Sequence, residues 1–345
     1  MRHTGFGLQR NIYKTIIQRY IGGFNFILNF PDSNRDLNRF KLIFKSLDRF
    51  TASYSAHQRA QFANRYFPTF LNTHRIMQYL NSAENQKSAL PVDSYHLHTP
   101  PEEYDLNCLL PLRVIESDHV RLEPFIPSLH AEYAFSLIQK DPTDIIYKYL
   151  PYGPFSTLPE FLTWLEVRIR SDKQSCLFLI TDLSRPYDAT NPLSRVAGWI
   201  GIINISIVDL VGEVGHVTVL KRAWKTHVNT HASSLLIKYM LSPRPEGLAF
   251  RRACWLAHFE NQNSNKAAER LGFSLEGTLR CHKVLRHDKE GSIVESEKGL
   301  GRTEEGRSRD TNVWSITWED WEKRGAEGKI EALLAREVKQ NPAWE

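Results

Sequence analysis

The sequence lacks the features that mark disulfide-rich, metal-binding and membrane-spanning proteins. No apolar run approaches the roughly 20 residues that span a bilayer, and no apolar segment bounded by small residues marks a secretory signal. With 345 residues, 41% hydrophobic and 24% charged, the composition is that of a soluble globular protein. Cysteines are few and lack CxxC or CxH spacing, so we expect no disulfide framework or zinc site, and cytoplasmic localisation fits. They are Cys108, Cys176, Cys254 and Cys281.

Acidic residues are scarce at the N-terminal end. Residues 1–90 hold thirteen Lys/Arg and four Asp/Glu, whereas the remainder holds 31 and 35, so the net charge of +5 comes from the first quarter. The charge of the remainder does not favour direct nucleic-acid binding. The segment NIYKTIIQRYI (11–21) has the spacing of a basic amphipathic helix, and no acidic residue precedes Asp32. Such a start is typical of a mitochondrial targeting segment, and a helix docked on this chain or on a partner is the alternative.

The distribution of patterns predicts three regions. Helical spacing recurs at 37–50 and 74–80, whereas 91–105 is polar, contains prolines and has no period. We therefore expect a mainly helical extension over 1–90, a linker over 91–111 and a larger domain over 112–335. His96 and His98 form an H-x-H pair, but no third His or paired Cys stands close by, so we expect solvated loop residues rather than metal ligands.

Strand and helix patterns alternate after the linker. This mixture predicts an α/β or α+β domain with a mixed sheet. Strands are predicted at 119–125, 175–182, 195–206, 213–220, 251–259 and 273–285, with a last strand and a closing helix over 310–321. Helices are predicted at 128–140 and 156–171, from near 226–230, and at 261–273.

The passage 213–241 predicts a strand, a polar loop and then a helix. The first turn of a helix presents unpaired N–H groups and a partial positive charge, which suit a phosphate. Three basic residues precede this helix, and three polar residues can cap it. An ordinary capped helix with solvated basic residues is the alternative. These residues are Lys221, Arg222 and Lys225, then Thr226, Asn229 and Thr230.

A second helix over 261–273 has the sequence NQNSNKAAERLGF. Asn261 and Ser264 are three residues apart and share a face, while Asn261 can serve as the N-cap. Gly272 can end the helix with Phe273 packed behind it. The alternative is a short capped helix with no other role.

Five motifs occur in an order that resembles the GNAT acetyltransferase superfamily, in the branch that includes the ribosomal-protein N-terminal acetyltransferases. The resemblance covers about 112–321 and does not extend over 1–105. It implies a mixed, mostly antiparallel and twisted sheet flanked by helices. The motifs are YLPYGPF (149–155), EVGHV (213–217), THVNTHA (226–232), NQNSNKAAERLGFSLEG (261–277) and RSRDTNVWSI (307–316).

The resemblance also implies where acetyl-CoA binds. The strand at 213–220 is expected to diverge from its neighbour, so that its backbone pairs with the pantetheine amides. The pyrophosphate is expected on the N–H groups before and within the first helical turn. Many superfamily members have glycines in this loop, whereas this chain has none. The residues implied are Val217, Thr218 and Val219 for pantetheine, and Lys225, Thr226, His227, Val228, Asn229 and Thr230 for pyrophosphate.

By the same resemblance, Asn261 contacts the cofactor and Ser264 is the general acid for the departing CoA thiolate. Some relatives place an acidic base on the strand that follows, but this sequence has Cys281-His282-Lys283 there. His216 and His282 are candidate bases because histidine titrates near neutrality. Glu213 and Glu276 are carboxylates nearby in the sequence, and proximity without a dedicated base is a further alternative.

The predicted function is transfer of acetyl from acetyl-CoA to a primary amine, either a small molecule or a protein N-terminus. No metal is expected, because a thioester is already activated. We expect a monomer or homodimer, with 149–155 and 286–306 bordering the acceptor cleft. The alternative is a catalytically inactive protein that keeps the fold for CoA binding or protein interaction.

Overall fold

The computed structural model describes residues 16–21, 24–29, 96–141, 143–285, 289, 291 and 306–338. The chain divides into two compact units, Met1–Ile76 and Met77–Glu345. The predicted helices at 37–50 and 74–80 lie outside the described residues. No helix in the described ranges is long and apolar enough to cross a membrane.

In the first unit, the described residues form an antiparallel pair of strands, β1 (Ile16–Ile21) and β2 (Phe24–Asn29). The prediction of a helix over 11–21 was therefore wrong for residues 16–21, and the mainly helical extension over 1–90 stays a prediction. Isoleucine and tyrosine favour strands, in agreement with the pairing of these two segments. Helical spacing within one segment does not take account of a pairing partner that follows it.

The second unit contains an eight-stranded sheet in the order β3-β4-β5-β6-β7-β8-β10-β9. All neighbouring strands are antiparallel except β7 and β8, so the predicted mixed, mostly antiparallel sheet is confirmed. The strands are β3 (Ile115–Glu116), β4 (Val120–Pro124), β5 (Cys176–Asp182), β6 (Val196–Ser206), β7 (Val211–Val219), β8 (Arg252–His258), β9 (Ser274–Leu285) and β10 (Arg307–Thr317).

Helices connect and flank these strands. Short 3₁₀ turns occur at Ile145–Tyr147, Pro192–Arg195 and Lys221–Ala223. The helices are α1 (Pro127–Gln139), α2 (Leu158–Leu165, continued by a π-helical turn over Glu166–Arg170), α3 (Val228–Leu241), α4 (Gln262–Leu271), α5 (Trp318–Glu322) and α6 (Ala326–Leu334).

Hydrophobic cores form on both faces of the sheet. Alternate side chains of a strand point to opposite faces, and β5 shows the result. Phe178 and Ile180 belong to the core that α3, α4 and α6 cover, whereas Leu177 and Leu179 belong to the core that α1 and α2 cover. Every residue of β5 is buried, which is why this strand is an almost continuous apolar run.

The second half of the predicted linker over 91–111 is packed into the second unit. Tyr104, Leu106, Cys108 and Leu110 are all buried. Asn107 between them donates through Nδ2 to the carbonyl of Arg170 at 2.8 Å. The linker prediction was wrong for this half, because the apolar residues alternate and one side of an extended segment can be buried.

We expect Asn107→Ala to lower the free energy of unfolding by about 1–3 kcal/mol, since it leaves the buried Arg170 carbonyl without its donor. Asn107 also has φ of +47°, which alanine adopts less readily than asparagine. Urea unfolding measures the change. Glu103→Ala is the control, because Glu103 is exposed in the same segment. Equal stability of both variants and the parent chain would show that the segment does not contribute to the fold.

Candidate functional site

The parallel strands β7 and β8 pair along only part of their length. Their register runs through three pairs, Val211–Arg252, Gly212–Ala253 and Glu213–Cys254. Beyond these three pairs, β7 continues to Val219 and β8 continues to His258, but the two strands no longer pair with each other. The separation leaves one edge of β7 open, where backbone N–H and C=O groups need partners. The three residues implied for pantetheine binding, Val217, Thr218 and Val219, lie on this part of β7.

A β-bulge lies where β7 has separated from β8. Between the pairs Gly201–Gly215 and Trp199–Thr218, β7 has one residue more than β6. His216 lies within this stretch and has φ of +49°. A bulge changes the direction of the neighbouring peptide groups and disrupts the regular ladder. The backbone of β7 can therefore present groups to a ligand here instead of to β6.

The loop between β7 and α3 presents unpaired backbone N–H groups. The Thr226 hydroxyl donates to the carbonyl of Ala223 at 2.7 Å and accepts from the N–H of Val228 at 3.3 Å, whereas the N-cap residue of the helix is His227, whose side chain makes no cap bond. Among the described residues no hydrogen bond is made by the other N–H groups at the start of the helix. These belong to Lys225, Thr226, His227, Asn229 and Thr230.

Side chains around this loop fix its conformation. Lys225 takes the left-handed conformation, with φ of +60°, at a place where glycine is absent. Nε2 of His227 lies 3.2 Å from the carboxylate of Asp182 at the end of β5. Lys221 lies 3.8 Å from Asp141, and Arg222 donates to the carbonyl of Val196. Two of the three basic residues before α3, Lys221 and Arg222, therefore interact with other groups of this chain.

Helix α4 has the caps that the sequence predicts. The side chain of Asn261 accepts from the N–H of Ser264 at 3.1 Å, and Gly272 ends the helix with φ of +96°. The Ser264 hydroxyl accepts from Nε1 of Trp255, a buried residue of β8, at 3.0 Å. This bond holds the Ser264 oxygen against β8 and leaves its hydrogen for another acceptor.

Asn265 is a structural residue of the site that sequence reasoning missed. The pattern of polar and apolar residues along α4 did not indicate that Asn265 is buried rather than exposed to solvent. Its amide joins the end of β8, the start of α4 and β10, and it is buried. It donates to the carbonyls of His258, Phe259 and Asn261 at 2.9–3.3 Å and accepts from Asn312 and Trp314, each at 3.0 Å.

The segment 149–155 lies over the gap between β7 and β8. The Tyr152 hydroxyl is 3.2 Å from Nδ1 of His216 on β7, and the ring of Tyr149 lies 5.1 Å from that of His258 on β8. Lys289, from the segment 286–306, donates to the carbonyl of Tyr152 at 3.2 Å. The described residue Lys289 therefore contacts the segment 149–155, and the acceptor cleft that both segments are expected to border stays a prediction.

Burial lowers the pKa of His216 to about 4, with a further contribution from the positive charge of Arg168. The imidazole is therefore neutral at physiological pH. A group with so low a pKa is a poor acceptor for a proton from an ammonium ion. This argues against His216 as the general base, although its ring lies in the cleft.

Glu213 has the titration behaviour that a base at neutral pH requires. Its side chain is 7% exposed, and Nδ2 of Asn204 donates to it at 2.6 Å. Burial raises the pKa of Glu213 to about 7, although Asn204, Arg309 and Lys283 act in the opposite direction. The sequence identified this residue as a nearby carboxylate without preferring it to the histidines.

The remaining candidate bases are less well placed. His282 lies on β9, and the sheet order puts β8 and β10 between this strand and β7. Burial, together with the charges of Lys283 and Arg309, lowers the pKa of His282. Glu276 forms a two-point ion pair with Arg252, and this interaction lowers its pKa. In the part of the chain that the structure describes, no cluster of three His, Cys, Asp or Glu residues is arranged to hold a metal ion.

Comparison with known proteins found similarity over part of this chain. A family model described as an acetyltransferase (GNAT) domain matches residues 119–274. A GCN5-related N-acetyltransferase from Brucella melitensis has a similar structure, with a TM-score of 0.52 and 25% identity over 67% of this chain and 89% of that one. A comparison with curated proteins found no match.

Other solved structures match less closely. A probable GNAT-family acetyltransferase from Chromobacterium violaceum ATCC 12472 has 26% identity and a TM-score of 0.49, over 61% of this chain and 89% of that one. A Salmonella typhimurium acetyltransferase that modifies the N-terminal serine of the 50S ribosomal subunit protein L7/L12 has 16% identity and a TM-score of 0.44, over 59% of this chain and 99% of that one. Similarity at this level gives no argument about the acceptor of this chain.

Proposed function

We propose that this chain, of which residues 119–274 match the model of a GNAT acetyltransferase domain, moves an acetyl group from acetyl-CoA to a primary amine. The amine belongs to a small molecule or to a protein N-terminus. The observation that supports this most directly is the gap between β7 and β8, which has the unpaired start of α3 at one side and Ser264 at the other.

The residues around the gap fit acetyl-CoA. The open edge of β7 over Val217–Val219 offers backbone groups to the pantetheine amides, as an added strand does. The N–H groups from Lys225 to Thr230 suit the pyrophosphate, because they need acceptors and lie at the positive end of the helix dipole. Asn261 caps α4 with its oxygen, so its amide nitrogen is the part that contacts the cofactor.

The proposed reaction has two proton transfers. The amine nitrogen attacks the thioester carbonyl, and Glu213 takes the proton that this nitrogen loses. As the carbon–sulfur bond breaks, Ser264 donates its hydroxyl proton to the sulfur and takes a replacement proton from solvent water, and Trp255 keeps the serine oxygen in place. A thiolate with a pKa near roughly 8.5 needs only modest help, so Ser264 contributes a limited factor.

Release of free CoA thiol tests the proposed function. The protein is incubated with acetyl-CoA and a panel of peptides and small amines, and thiol is followed over time. We expect release that depends on the acceptor. Binding of acetyl-CoA without release for any acceptor would support the alternative of an inactive CoA-binding protein.

We expect Asn229→Asp to weaken CoA binding by about 1–3 kcal/mol, because a carboxylate would repel the pyrophosphate at the start of α3. The same carboxylate favours the helix itself, so the melting temperature should not fall. Titration calorimetry with CoA measures the affinity, and Asn229→Ala separates the effect of charge from that of the lost amide. An unchanged dissociation constant in Asn229→Asp would remove this loop from the proposed site.

A further inference from the structure

A buried guanidinium on β10 has few partners. Arg309 is 8% exposed, and among the described residues its one hydrogen bond joins Nη2 to the carbonyl of Leu256 at 3.5 Å. Its Nε is buried without an acceptor. A guanidinium carries five N–H donors, and burial of a charge is costly unless the charge is paired. The side chain therefore has several donors that an anionic ligand can satisfy.

The sheet register places Arg309 at the wide end of the gap. Thr311 pairs with His258, the last residue of β8, and Arg309 lies two residues beyond that pair. Residues i and i+2 of a strand share a face, so Arg309 and Thr311 lie on the same side of β10. The Thr311 hydroxyl is also buried without a hydrogen-bond partner among the described residues. The Nε of Arg309 and the Thr311 hydroxyl are thus two buried donor groups without acceptors, two residues apart on β10, where its pairing with β9 is irregular.

The carboxylate of Glu213 does not satisfy these donors. Arg309 makes no ion pair within 4.0 Å among the described residues, and the Glu213 carboxylate is instead bonded to Asn204. The positive charge of Arg309 acts to lower the pKa of Glu213, but burial outweighs it and raises that pKa to about 7. This electrostatic influence leaves the N–H groups of Arg309 available to another anion.

We propose that Arg309, assisted by the Thr311 hydroxyl, binds a carboxylate carried by the amine acceptor. This inference rests on the proposed function, because it takes the gap near Glu213 as the acceptor side. It names the substrate class as amino acids or peptides with an acidic group near the amine. A cation at this place also disfavours the ammonium form of the acceptor and repels polyamines. The carboxylate belongs either to a free amino acid or to an acidic side chain close to a peptide N-terminus.

Matched pairs of acceptors test the proposal with the full chain. The first pair is glycine and glycinamide, and the second is a tetrapeptide amide that begins Ser-Asp and its Ser-Asn counterpart. Calorimetry on the complex with CoA measures the binding of each probe, and thiol release measures its turnover. We expect the acidic member of at least one pair to bind about 10- to 100-fold more tightly than the neutral member, as a charge-assisted bond implies.

Variants show whether Arg309 causes this preference. In Arg309→Gln we expect the two members of each pair to bind alike, and in Thr311→Val we expect the preference to fall a few-fold. Arg324→Gln removes the same charge at an exposed position of the surface and should keep the preference. Melting temperature and CoA affinity show whether each variant folds. If Arg309→Gln does not fold, Thr311→Val still tests the proposal, because valine has nearly the same shape as threonine.

The outcomes separate this inference from the proposed function. Preference for glycine alone identifies a free amino acid, and preference for the Ser-Asp peptide alone identifies an acidic N-terminus. Equal binding within both pairs, binding of neither pair, or a preference that survives in Arg309→Gln overturns the inference, even when neutral amines release thiol. A preference that is lost in Arg309→Gln, without thiol release from any acceptor, retains the carboxylate site and overturns the transferase function.

Discussion

Replacement of Ser264 by alanine is expected to lower kcat by about 10²-fold and to change KM for acetyl-CoA little. The proton from Ser264 is needed only as the carbon–sulfur bond breaks, so its loss affects the transition state and not the ground state. General acid catalysis is worth about 10²–10⁴-fold, and the weak basicity of the thiolate favours the low end. Steady-state kinetics at varied acetyl-CoA measures both constants.

Asn261→Ala is the matched comparison, because Asn261 lies on the same face of α4 and is proposed to contact the cofactor in both the ground state and the transition state. Its KM should rise while kcat changes less, and loss of the cap should cost about 1 kcal/mol of stability. Turnover of Ser264→Ala at the parent rate with every acceptor would show that the serine is only a helix residue held by Trp255.

Glu213→Gln is expected to lower kcat/KM by about 10²–10⁴-fold and to change its dependence on pH. Only the carboxylate form of Glu213 accepts a proton, and burial raises its pKa to about 7, so the parent activity should rise with pH through this value. The glutamine variant should keep only the dependence that comes from the acceptor amine, near about 7.7–8.0 for a peptide N-terminus. The rate measured from pH 5.5 to pH 9, approximate limits that bracket both values, gives the two profiles.

Glu276→Gln is the control for this prediction, because Glu276 is paired with Arg252 and should not set the profile. If the glutamine variant of Glu213 had the same pH profile of activity as the parent chain, either another group would be the base or the reaction would use none.

The raised pKa of Glu213 also predicts how the stability of the fold depends on pH. Since the pKa of Glu213 is higher in the folded state than its usual 4.5, the free energy of unfolding should fall as pH rises from about 4.5 to about 7. That contribution should be absent in Glu213→Gln.

Signals that depend on a few neighbouring residues were predictable from the sequence. Asn261 as N-cap and Gly272 as C-cap follow from a polar side chain and a glycine at the two ends of one short helix. The order of strands and helices after residue 112 follows from the local spacing of apolar residues. The same kind of reasoning was wrong for 16–21, because the strand there forms with a partner outside the segment.

The chemistry of the cleft depended on residues that are far apart in the sequence. Burial raises the pKa of Glu213, while Asn204 and the distant Arg309 and Lys283 act in the opposite direction, so the sequence could not rank it above His216. The bond from Trp255 to Ser264 and the five bonds of Asn265 likewise join separate elements. Nothing local to Arg309 indicated that it is buried with few partners.

The amino-acid sequence by itself determined most of the elements after residue 112, the caps of α4 and, through motif order, the resemblance to acetyltransferases. The tertiary structure decided which side chains face one gap between β7 and β8, and how far each is removed from water. The physical reason is that caps and periodicity are properties of a few consecutive residues. Burial, pKa and unsatisfied donors depend on the distance between residues that only the folded chain brings together.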